Sequence, residues 1–241
     1  MLINIKKIIK LKILLNNSLY RKALKYKVAA AIEHQKLLEH FDYKTVVDIG
    51  ANKGQFSLVS RYCFPDAKII SFEPLTEPAG IFFNLFRNDK NTILHSVAIG
   101  PKKEKKNIHI SKSNDSSSLL PISALQEKIF PGTKEIGTTA IEVVPLDTLL
   151  FKEDIEKKAL LKLDVQGYEL EALMGCESIL SSFDNIYCEC SFLELYTGQK
   201  MATDIIEWLF KRGFILNGAY NMSYDDSGIA VQADLMFNNT L

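Results

Sequence analysis

The sequence predicts an α/β fold in which a mostly parallel β-sheet is covered by helices on both faces. Short hydrophobic strands alternate with apolar-periodic helical segments over residues 45–99, and the alternation resumes over residues 159–211. Two strands end in a feature suited to ligand binding: residues 45–49 run into a glycine turn, and residues 67–72 into a single carboxylate. Strand–helix alternation implies right-handed crossovers and therefore parallel pairing.

The same patterns predict seven strands and the helices around them. Apolar, β-branched runs predict the strands, and amphipathic spacing predicts the helices. A final pair of strands with a hairpin-like connection is typical of a parallel sheet whose last strand inserts antiparallel. The predicted strands are residues 45–49, 67–72, 92–99, 159–164, 185–190, 214–220 and 231–237, and the predicted helices are residues 29–40, 55–63, 79–88, 169–180 and 203–211.

The composition is that of one large domain, with or without an appendage. The chain has 241 residues, 47% of them hydrophobic, and a formal net charge of zero. A neutral chain has no overall field that attracts nucleic acid, so we expect no nucleic-acid partner. The four cysteines contain no Cys-x-x-Cys pair and favour free thiols in a reducing cytosol, which predicts a cytoplasmic protein.

Residues 1–40 form a basic, amphipathic N-terminal segment, and residues 41–241 the main domain. Eight lysines and arginines precede the first acid, Glu33. The segment is too often charged for a transmembrane span and lacks the apolar core of a signal peptide. Two interpretations stay open. The segment packs as a helix on the flank of the domain, or it attaches peripherally to an anionic membrane surface or to a partner.

The turn after the first strand carries the pattern Asp-x-Gly-x-Asn-x-Gly over residues 48–54. A dinucleotide site needs a glycine at the middle position, where Asn52 stands, and Asp48 would repel a pyrophosphate but could hold an ammonium. Glu73, which follows the second strand and precedes Pro74, could bind ribose hydroxyls. The pattern therefore favours S-adenosylmethionine as the cofactor. The alternative is an ordinary strand–helix turn that binds no ligand.

Residues from about 101 to about 145 interrupt the alternation between its third and fourth units. This insertion contains two strand-like runs, residues 107–111 and 139–145, around a polar stretch and a short helical piece near residues 123–129. The two runs could pair as a hairpin that covers the cofactor cleft, since loops over a rigid sheet usually select the substrate. The alternative is a plain surface elaboration.

Five motifs, in their order along the chain, resemble the FkbM family of S-adenosylmethionine-dependent methyltransferases. They are Val47-Asp-Ile-Gly-Ala-Asn-Lys-Gly-Gln-Phe56, Phe72-Glu-Pro74, Ser116-Ser-Ser-Leu119, Pro145-Leu-Asp-Thr-Leu149 and Leu161-Lys-Leu-Asp-Val-Gln-Gly-Tyr-Glu169. The first two are shared by many class I methyltransferases, and the last is the most specific. The resemblance spans about residues 46–237. It implies a seven-stranded, Rossmann-like sheet and O-methylation of hydroxyls, commonly on sugars of surface polysaccharides or on natural products.

The chemistry of methyl transfer then suggests the site residues. The enzyme must align the acceptor and exclude water, and an alcohol acceptor benefits from a nearby base. Asp164, at the tip of the fourth strand, is the first candidate for acceptor binding or proton removal, with Glu169 and Glu189 behind it. Each acid could instead be structural. The predicted cofactor-binding residues are Asp48, Gly50, Ala51, Asn52, Gly54, Glu73 and Pro74, and the predicted substrate-binding residues are Ser116, Ser117 and Ser118.

Three functions stay open at this point. The leading one is transfer of a methyl group from S-adenosylmethionine to a hydroxyl, on a sugar of a surface polysaccharide or glycan. The second is methylation of another small-molecule hydroxyl or of an amine. The third is a cofactor-binding partner in a glycan-assembly complex that has no catalytic activity. No metal site is predicted, because no Asp-Asp or Asp-Asn pair accompanies the acids.

Overall fold

The computed structural model describes residues 10–240, so Lys6 and Lys7 of the predicted basic helix lie outside the described residues. The described chain forms a seven-stranded sheet and a three-stranded sheet. The strands are β1 (Thr45–Ile49), β2 (Lys68–Phe72), β3 (Thr92–His95), β4 (Ala98–Ile99), β5 (Glu104–Ser111), β6 (Glu135–Val144), β7 (Ala159–Leu163), β8 (Asn185–Ser191), β9 (Phe214–Tyr224) and β10 (Ala230–Asn239).

The seven-stranded sheet confirms the predicted α/β fold. Its strand order is β3-β2-β1-β7-β8-β10-β9. Neighbouring strands pair in parallel except at β10, which runs antiparallel to both β8 and β9. The last strand is therefore inserted between its neighbours, as predicted. The order reverses between β1 and β7, and in such sheets the crevice at this switch point binds the ligand.

Helices cover both faces of the seven-stranded sheet. Successive strand residues point to opposite sides, and both sides carry apolar side chains that need to be buried. In β1, Val46 belongs to the core that α4 and α5 complete, whereas Val47 and Ile49 belong to the core under α7 and α8. The helices are α1 (residues 10–16), α2 (Ser18–Leu24), α3 (Gln35–Leu38), α4 (Gln55–Cys63), α5 (Thr76–Phe86), α6 (Ala124–Ile129), α7 (Glu169–Met174) and α8 (Ala202–Phe210).

Three predicted elements differ from the structure. The predicted strand over residues 92–99 is split, since β3 joins the seven-stranded sheet and β4 pairs with β6 in the smaller one. The predicted helix over residues 169–180 ends at Met174, where a Cβ on Gly175 would lie 2.4 Å from the carbonyl oxygen of Gly100, and a 3₁₀ turn follows. The predicted helix over residues 29–40 is reduced to a 3₁₀ turn and the short α3.

The insertion forms the predicted hairpin. Strands β5 and β6 pair antiparallel, and β4 adds to β6 to complete the three-stranded sheet. Its apolar face packs on the main domain: Ile108 and Leu119 share a buried cluster with Leu75, which follows β2, and with Tyr168, which follows β7. The hairpin therefore lies over the C-terminal ends of β2 and β7.

The described part of the N-terminal segment packs on the domain. Asn17 begins α2, and its side-chain oxygen accepts hydrogen bonds from the backbone N–H groups of Leu19 and Tyr20. The buried side chains of Leu14, Tyr20 and Val28 belong to the same core as α4. Among the described residues, no helix is long and apolar enough to cross a membrane.

Candidate active site

A cavity of about 390 Å³ opens at the C-terminal ends of β1, β2 and β7. This volume is within the range of about 300–1,000 Å³ that is usual for small-molecule sites. Its walls come from the turn after β1, the tips of β2 and β7, residues 97–99, the insertion and the N-terminal segment. Residues on these walls include Lys10, Ala29, Ala31, Glu33, His34, Gly50, Ala51, Asn52, Phe56, Glu73, Pro74, Asn114, Asp115, Ser117, Ser118, Lys162, Asp164 and Gln166.

The glycine turn is shaped by contacts inside the protein. The N–H groups of Gly50 and Ala51 both donate to the carbonyl oxygen of Phe72 at 3.0 Å, which ties the turn to the end of β2. Gly50 has a φ of +84°, and a Cβ there would lie 1.9 Å from the carbonyl oxygen of Asp164. The glycine is therefore required by the close approach of the turn to the end of β7. Its backbone lies on the cavity wall.

Gly54 is not on the cavity wall, although the sequence predicts it as a cofactor-binding residue. It has a φ of +92°, and a Cβ there would lie 2.7 Å from the ring of Phe86 and 3.0 Å from that of Phe82. Gly54 precedes α4 and lets that helix pack closely against α5. Its local requirement for glycine thus comes from helix packing and backbone conformation.

Glu73 lies on the cavity wall directly after β2, beside Pro74. Its Oε2 accepts the N–H of Asn52 at 2.9 Å, and its Oε1 accepts the N–H of Leu75 at 2.8 Å. Burial raises the pKa of this carboxyl to about 7, although the two N–H donors act in the opposite direction. Glu73 thus connects the turn after β1 to the tip of β2, and it presents an acid to the cavity.

A buried lysine lies between two of the predicted acids. The Nζ of Lys162 is 3.3 Å from Oδ1 of Asp48 and 3.6 Å from Oδ2 of Asp164. Asp48 is fully buried, accepts a 2.7 Å hydrogen bond from the Ser57 hydroxyl, and is not on the cavity wall. Burial alone would lower the pKa of Lys162, but Asp48 and Asp164 raise it above its usual value. The lysine is therefore a fixed cation under the cavity.

The three predicted catalytic acids occupy different positions. Asp164 is on the cavity wall, and its Oδ1 accepts a 2.7 Å hydrogen bond from the Gln166 side chain. The same Gln166 amide donates to Oε2 of Glu189 at 2.8 Å, and Gln232 donates to its Oε1 at 2.7 Å. Burial raises the pKa of Glu189 well above its usual value, and Asp164 adds to that effect. Glu189 itself does not line the cavity.

Glu169 holds the turn after β7 together. Its Oε1 accepts the N–H groups of Val165 and Gly167 at 3.0 and 3.1 Å. Burial raises the pKa of this carboxyl to about 7, and the side chain does not line the cavity. The position favours the structural interpretation of this acid.

The predicted substrate-binding serines are also divided. Ser117 and Ser118 line the cavity, and Ser116 does not. The Ser118 hydroxyl donates to the carbonyl oxygen of Gln166 at 2.6 Å, and Ser117 Oγ accepts the N–H of Ser111 at 3.1 Å. Ser118 thereby fastens the insertion to the turn after β7, whereas the Ser117 bond lies within the insertion. No group of three or more His, Cys, Asp and Glu side chains within residues 10–240 is arranged to hold a metal ion.

A family model described as "Methyltransferase FkbM domain" matches residues 48–216. The chain belongs to the FkbM methyltransferase family. It is accordingly an S-adenosylmethionine-dependent methyltransferase, as the five motifs predict.

One curated protein that this FkbM methyltransferase resembles is a 2-O-methyltransferase, NoeI of Sinorhizobium fredii. The two are 27% identical over 181 residues, which cover 72% of this chain and 73% of NoeI. Among solved structures, the chain is similar to a precorrin-6y C5,15-methyltransferase of Geobacter metallireducens, with a TM-score of 0.48, 13% identity, and coverage of 86% and 87% of the two chains. At this TM-score the likeness does not bear on the substrate.

Three residues of this FkbM methyltransferase on the cavity wall have no predicted role from the sequence: Lys162, Gln166 and His34. For Lys162, the signal in the sequence is a single lysine inside the apolar strand at residues 159–163, because a buried charge needs a partner. Gln166 belongs to the specific motif, but its amide side chain does not titrate and so indicates no acid or base role. His34 comes from the N-terminal segment, far from every motif, and no sequence pattern marks it.

Proposed function

We propose that this FkbM methyltransferase holds S-adenosylmethionine in the cavity and transfers its methyl group to a hydroxyl of a sugar. The observation that carries the proposal is Glu73, a buried acid on the cavity wall at the tip of the second strand. A carboxylate in this position suits the two ribose hydroxyls of a nucleoside. When bound, the cofactor supplies an electrophilic methyl group on a sulfonium.

The residues of the cavity fit this cofactor. The backbone of residues 50–52 lies beside Glu73 on one wall, where a nucleoside and its amino-acid end can approach main-chain groups. Asp164 lies on the wall at the tip of β7. Asp164 and the buried Asp48 together outnumber the one cation of Lys162 between them, and the resulting net negative charge favours a cationic ligand in the cavity.

The acceptor class is inferred from the part of the wall that the insertion provides. Asn114, Asp115 and Ser117 of the insertion give that wall amide, carboxylate and hydroxyl groups. Such groups suit an acceptor with several hydroxyls, because each can donate or accept a hydrogen bond. The 2-O-methyltransferase name of the relative supports oxygen as the atom that is methylated.

The protein contributes alignment and exclusion of water. The insertion lies over the C-terminal edge of the sheet, and the Ser118–Gln166 hydrogen bond of 2.6 Å fastens it to the turn after β7. A covered cavity strengthens the electrostatic interactions inside it and keeps water away from the reacting atoms. Asp164, whose side chain is 37% exposed, is available to bind the acceptor hydroxyl or to take its proton.

Incubation with S-adenosylmethionine labelled in its methyl group tests the proposal. The acceptors are a panel of methyl glycosides and nucleotide sugars, with amino sugars and aromatic alcohols as competing classes. We expect label on a sugar oxygen, located by mass spectrometry after hydrolysis. Label on nitrogen or on the aromatic alcohols would move the assignment to the second function. Cofactor binding without transfer to any acceptor would favour the non-catalytic one.

A further inference from the structure

His34 lies on the cavity wall in the 3₁₀ turn Ile32–His34, just before α3. Its imidazole packs edge-on against Phe56, with ring centroids 5.3 Å apart, and against Tyr187, with centroids 5.6 Å apart. The side chain is 14% exposed. The ring is therefore fixed between α4 and β8 and still borders the cavity.

One ring nitrogen of His34 faces a polar group inside the protein. The Nδ1 is 3.0 Å from the Tyr187 hydroxyl, 3.1 Å from the amide nitrogen of Asn221 and 3.5 Å from Oδ2 of Asp234. The Tyr187 hydroxyl donates to that same Oδ2 at 3.2 Å, and the Asn221 amide donates to it at 2.8 Å. We call His34, Tyr187, Asn221 and Asp234 the histidine cluster.

The histidine cluster offers an acceptor for a proton on Nδ1 of His34, the Tyr187 oxygen at 3.0 Å. The alternative tautomer has Nδ1 accepting the second Asn221 hydrogen at 3.1 Å, and the nitrogen shifts described below distinguish the two. Asp234 is acceptor-only when it is ionised, so the Tyr187 hydrogen points to it and the Tyr187 oxygen is left to accept. The hydrogen on Nδ1 of His34 can then be donated to the Tyr187 oxygen, and the second Asn221 hydrogen to the same oxygen at 3.2 Å. In this arrangement every hydrogen has a partner. The other nitrogen, Nε2, keeps its lone pair and has no hydrogen-bond partner among residues 10–240.

Charged groups on the elements packed against His34 affect its pKa. Burial lowers the pKa of His34, while Asp234 on β10 and Glu33 in the same turn act in the opposite direction. On β7, Lys162 lowers the pKa further and Asp164, just beyond the strand, raises it. Glu33 is paired with Lys10 at 2.8 Å. A lowered pKa means a neutral imidazole at pH 7, which is the form that can accept a proton.

We propose that His34 is the general base of the methyl transfer and that Nε2 takes the proton of the acceptor hydroxyl. The inference rests on the proposed function. The O–H bond breaks toward Nε2 as the oxygen forms its bond to the methyl carbon. The carbon–sulfur bond breaks with its electron pair left on sulfur, and the proton leaves the imidazolium for solvent. Asp234, acting through Tyr187, stabilises the imidazolium that forms, and Asp164 is left to orient the acceptor.

His34→Asn and a matched control, His109→Asn, test this assignment in the full-length chain. His109 is also a partly buried histidine paired with a carboxylate, since its Nδ1 is 2.9 Å from Oε2 of Glu135, but it does not line the cavity. We expect His34→Asn to lower kcat for whichever acceptor of the panel the wild type methylates by roughly 100- to 10,000-fold. The affinity for S-adenosylmethionine, measured by calorimetry, should stay within about threefold of the wild type because the base does not hold the cofactor.

The pH profile separates a base from a positioning residue. The wild type should lose kcat below the pKa of His34, and this acid limb should be absent in His34→Asn and present in His109→Asn. Added imidazole should restore part of the activity of His34→Asn only. An unchanged kcat, or an acid limb that persists without His34, would overturn the proposal. Failure of the wild type to bind the cofactor would instead overturn the proposed function.

A measurement that needs no acceptor covers the case in which the wild type methylates none of the panel. The nitrogen shifts of ¹⁵N-histidine-labelled protein, assigned with the two variants, report which ring nitrogen of His34 carries the proton. A neutral imidazole at pH 7 with the proton on Nδ1 supports the proposal. A proton on Nε2, or a charged ring at pH 7, contradicts it.

Discussion

At the residue scale, Gly50 and Glu169 each have a specific structural role beside the cavity. Gly50 has no side chain at the point where the turn after β1 meets the end of β7. Glu169 is buried, and its carboxylate accepts two backbone N–H groups of the turn after β7. Each gives a prediction about stability that can be measured without a substrate.

Gly50→Ala should lower the free energy of unfolding by more than the cost of placing alanine at a positive φ. The added Cβ would overlap the carbonyl oxygen of Asp164 at 1.9 Å, which is main chain and cannot turn aside. Gly132→Ala is the matched control, because Gly132 also has a positive φ, +97°, but nothing lies within 4 Å of its missing Cβ. Positive φ costs about 1–2 kcal/mol at either position, and overpacking adds about 1–3 kcal/mol at Gly50 alone. Urea unfolding measures the difference, and equal losses would contradict the close approach.

Glu169→Gln should reduce the loss of stability as the pH rises. The pKa of Glu169 in the folded protein is raised from 4.5 to about 7. Its contribution to the free energy of unfolding is therefore complete below about pH 4.5 and is lost as the pH rises through 7. The loss amounts to about 3 kcal/mol. Glutamine keeps an oxygen for the two N–H donors and carries no charge. Unfolding free energies at pH 5 and pH 8 should differ less in the variant than in the wild type.

The control for that comparison is Glu207→Gln, on the exposed side of α8, where the side chain is 67% exposed. The Glu207→Gln substitution removes the same negative charge, but from a side chain that solvent surrounds. If both variants changed the pH dependence equally, the burial of Glu169 would not be its cause.

At the element scale, the insertion is fastened to the sheet by a few polar contacts. The Tyr196 hydroxyl, in the loop after β8, is 2.6 Å from Oε1 of Gln166 and 3.1 Å from the carbonyl oxygen of Ser116. It therefore links the turn after β7 to the insertion. The Gln166 backbone has a φ of +56°, which is costly for a residue other than glycine and persists only where its surroundings hold it.

Tyr196→Phe should loosen the insertion while leaving the sheet intact. The loss of one buried hydroxyl that serves two acceptors costs about 1–3 kcal/mol. Hydrogen exchange should accelerate in residues 112–120 and stay unchanged in β1 and β7. Tyr224→Phe, at an exposed position on β9, is the control. Unaltered exchange in residues 112–120 would show that the Tyr196 hydroxyl does not help to hold the insertion.

Sequence reasoning predicted elements best where each pattern had one interpretation. The parallel sheet, the antiparallel last strand and the hairpin in the insertion all follow from local periodicity, and the structure confirms them. The run over residues 92–99 has no breaker that would mark its division into β3 and β4. That division depends on β6, which arrives from about 40 residues further along the chain and pairs with β4.

At the scale of the whole molecule, the cavity joins segments that are far apart in sequence. The motifs predicted the turn after β1, Glu73 and Asp164, because each lies at the tip of a predicted strand. Lys162 could not be assigned a role in the same way, since its buried partner Asp48 is placed opposite it only by the register of β1 and β7. His34 faces Tyr187 across 153 residues of chain. Such an arrangement arises from tertiary packing and has no local pattern.

The described part of the N-terminal segment packs on the domain and also contributes to the cavity. Ala29, Ala31, Glu33 and His34 lie on the cavity wall, and Tyr20 and Ala23 are buried in the domain core. The described residues therefore support the interpretation in which the segment packs on the domain, and they add a contribution to the site. Peripheral attachment of the segment to an anionic membrane surface or to a partner stays a prediction.

Calorimetric titration of the wild type, Glu73→Gln and Glu207→Gln with S-adenosylmethionine tests whether this cavity binds the cofactor. We expect one cofactor per chain for the wild type and for Glu207→Gln. We expect an affinity weaker by roughly 10- to 100-fold for Glu73→Gln, because the amide nitrogen that replaces one carboxyl oxygen cannot accept a hydrogen bond from a ribose hydroxyl. Equal affinities for all three proteins, or no binding by the wild type, would contradict the assignment of this cavity to the cofactor.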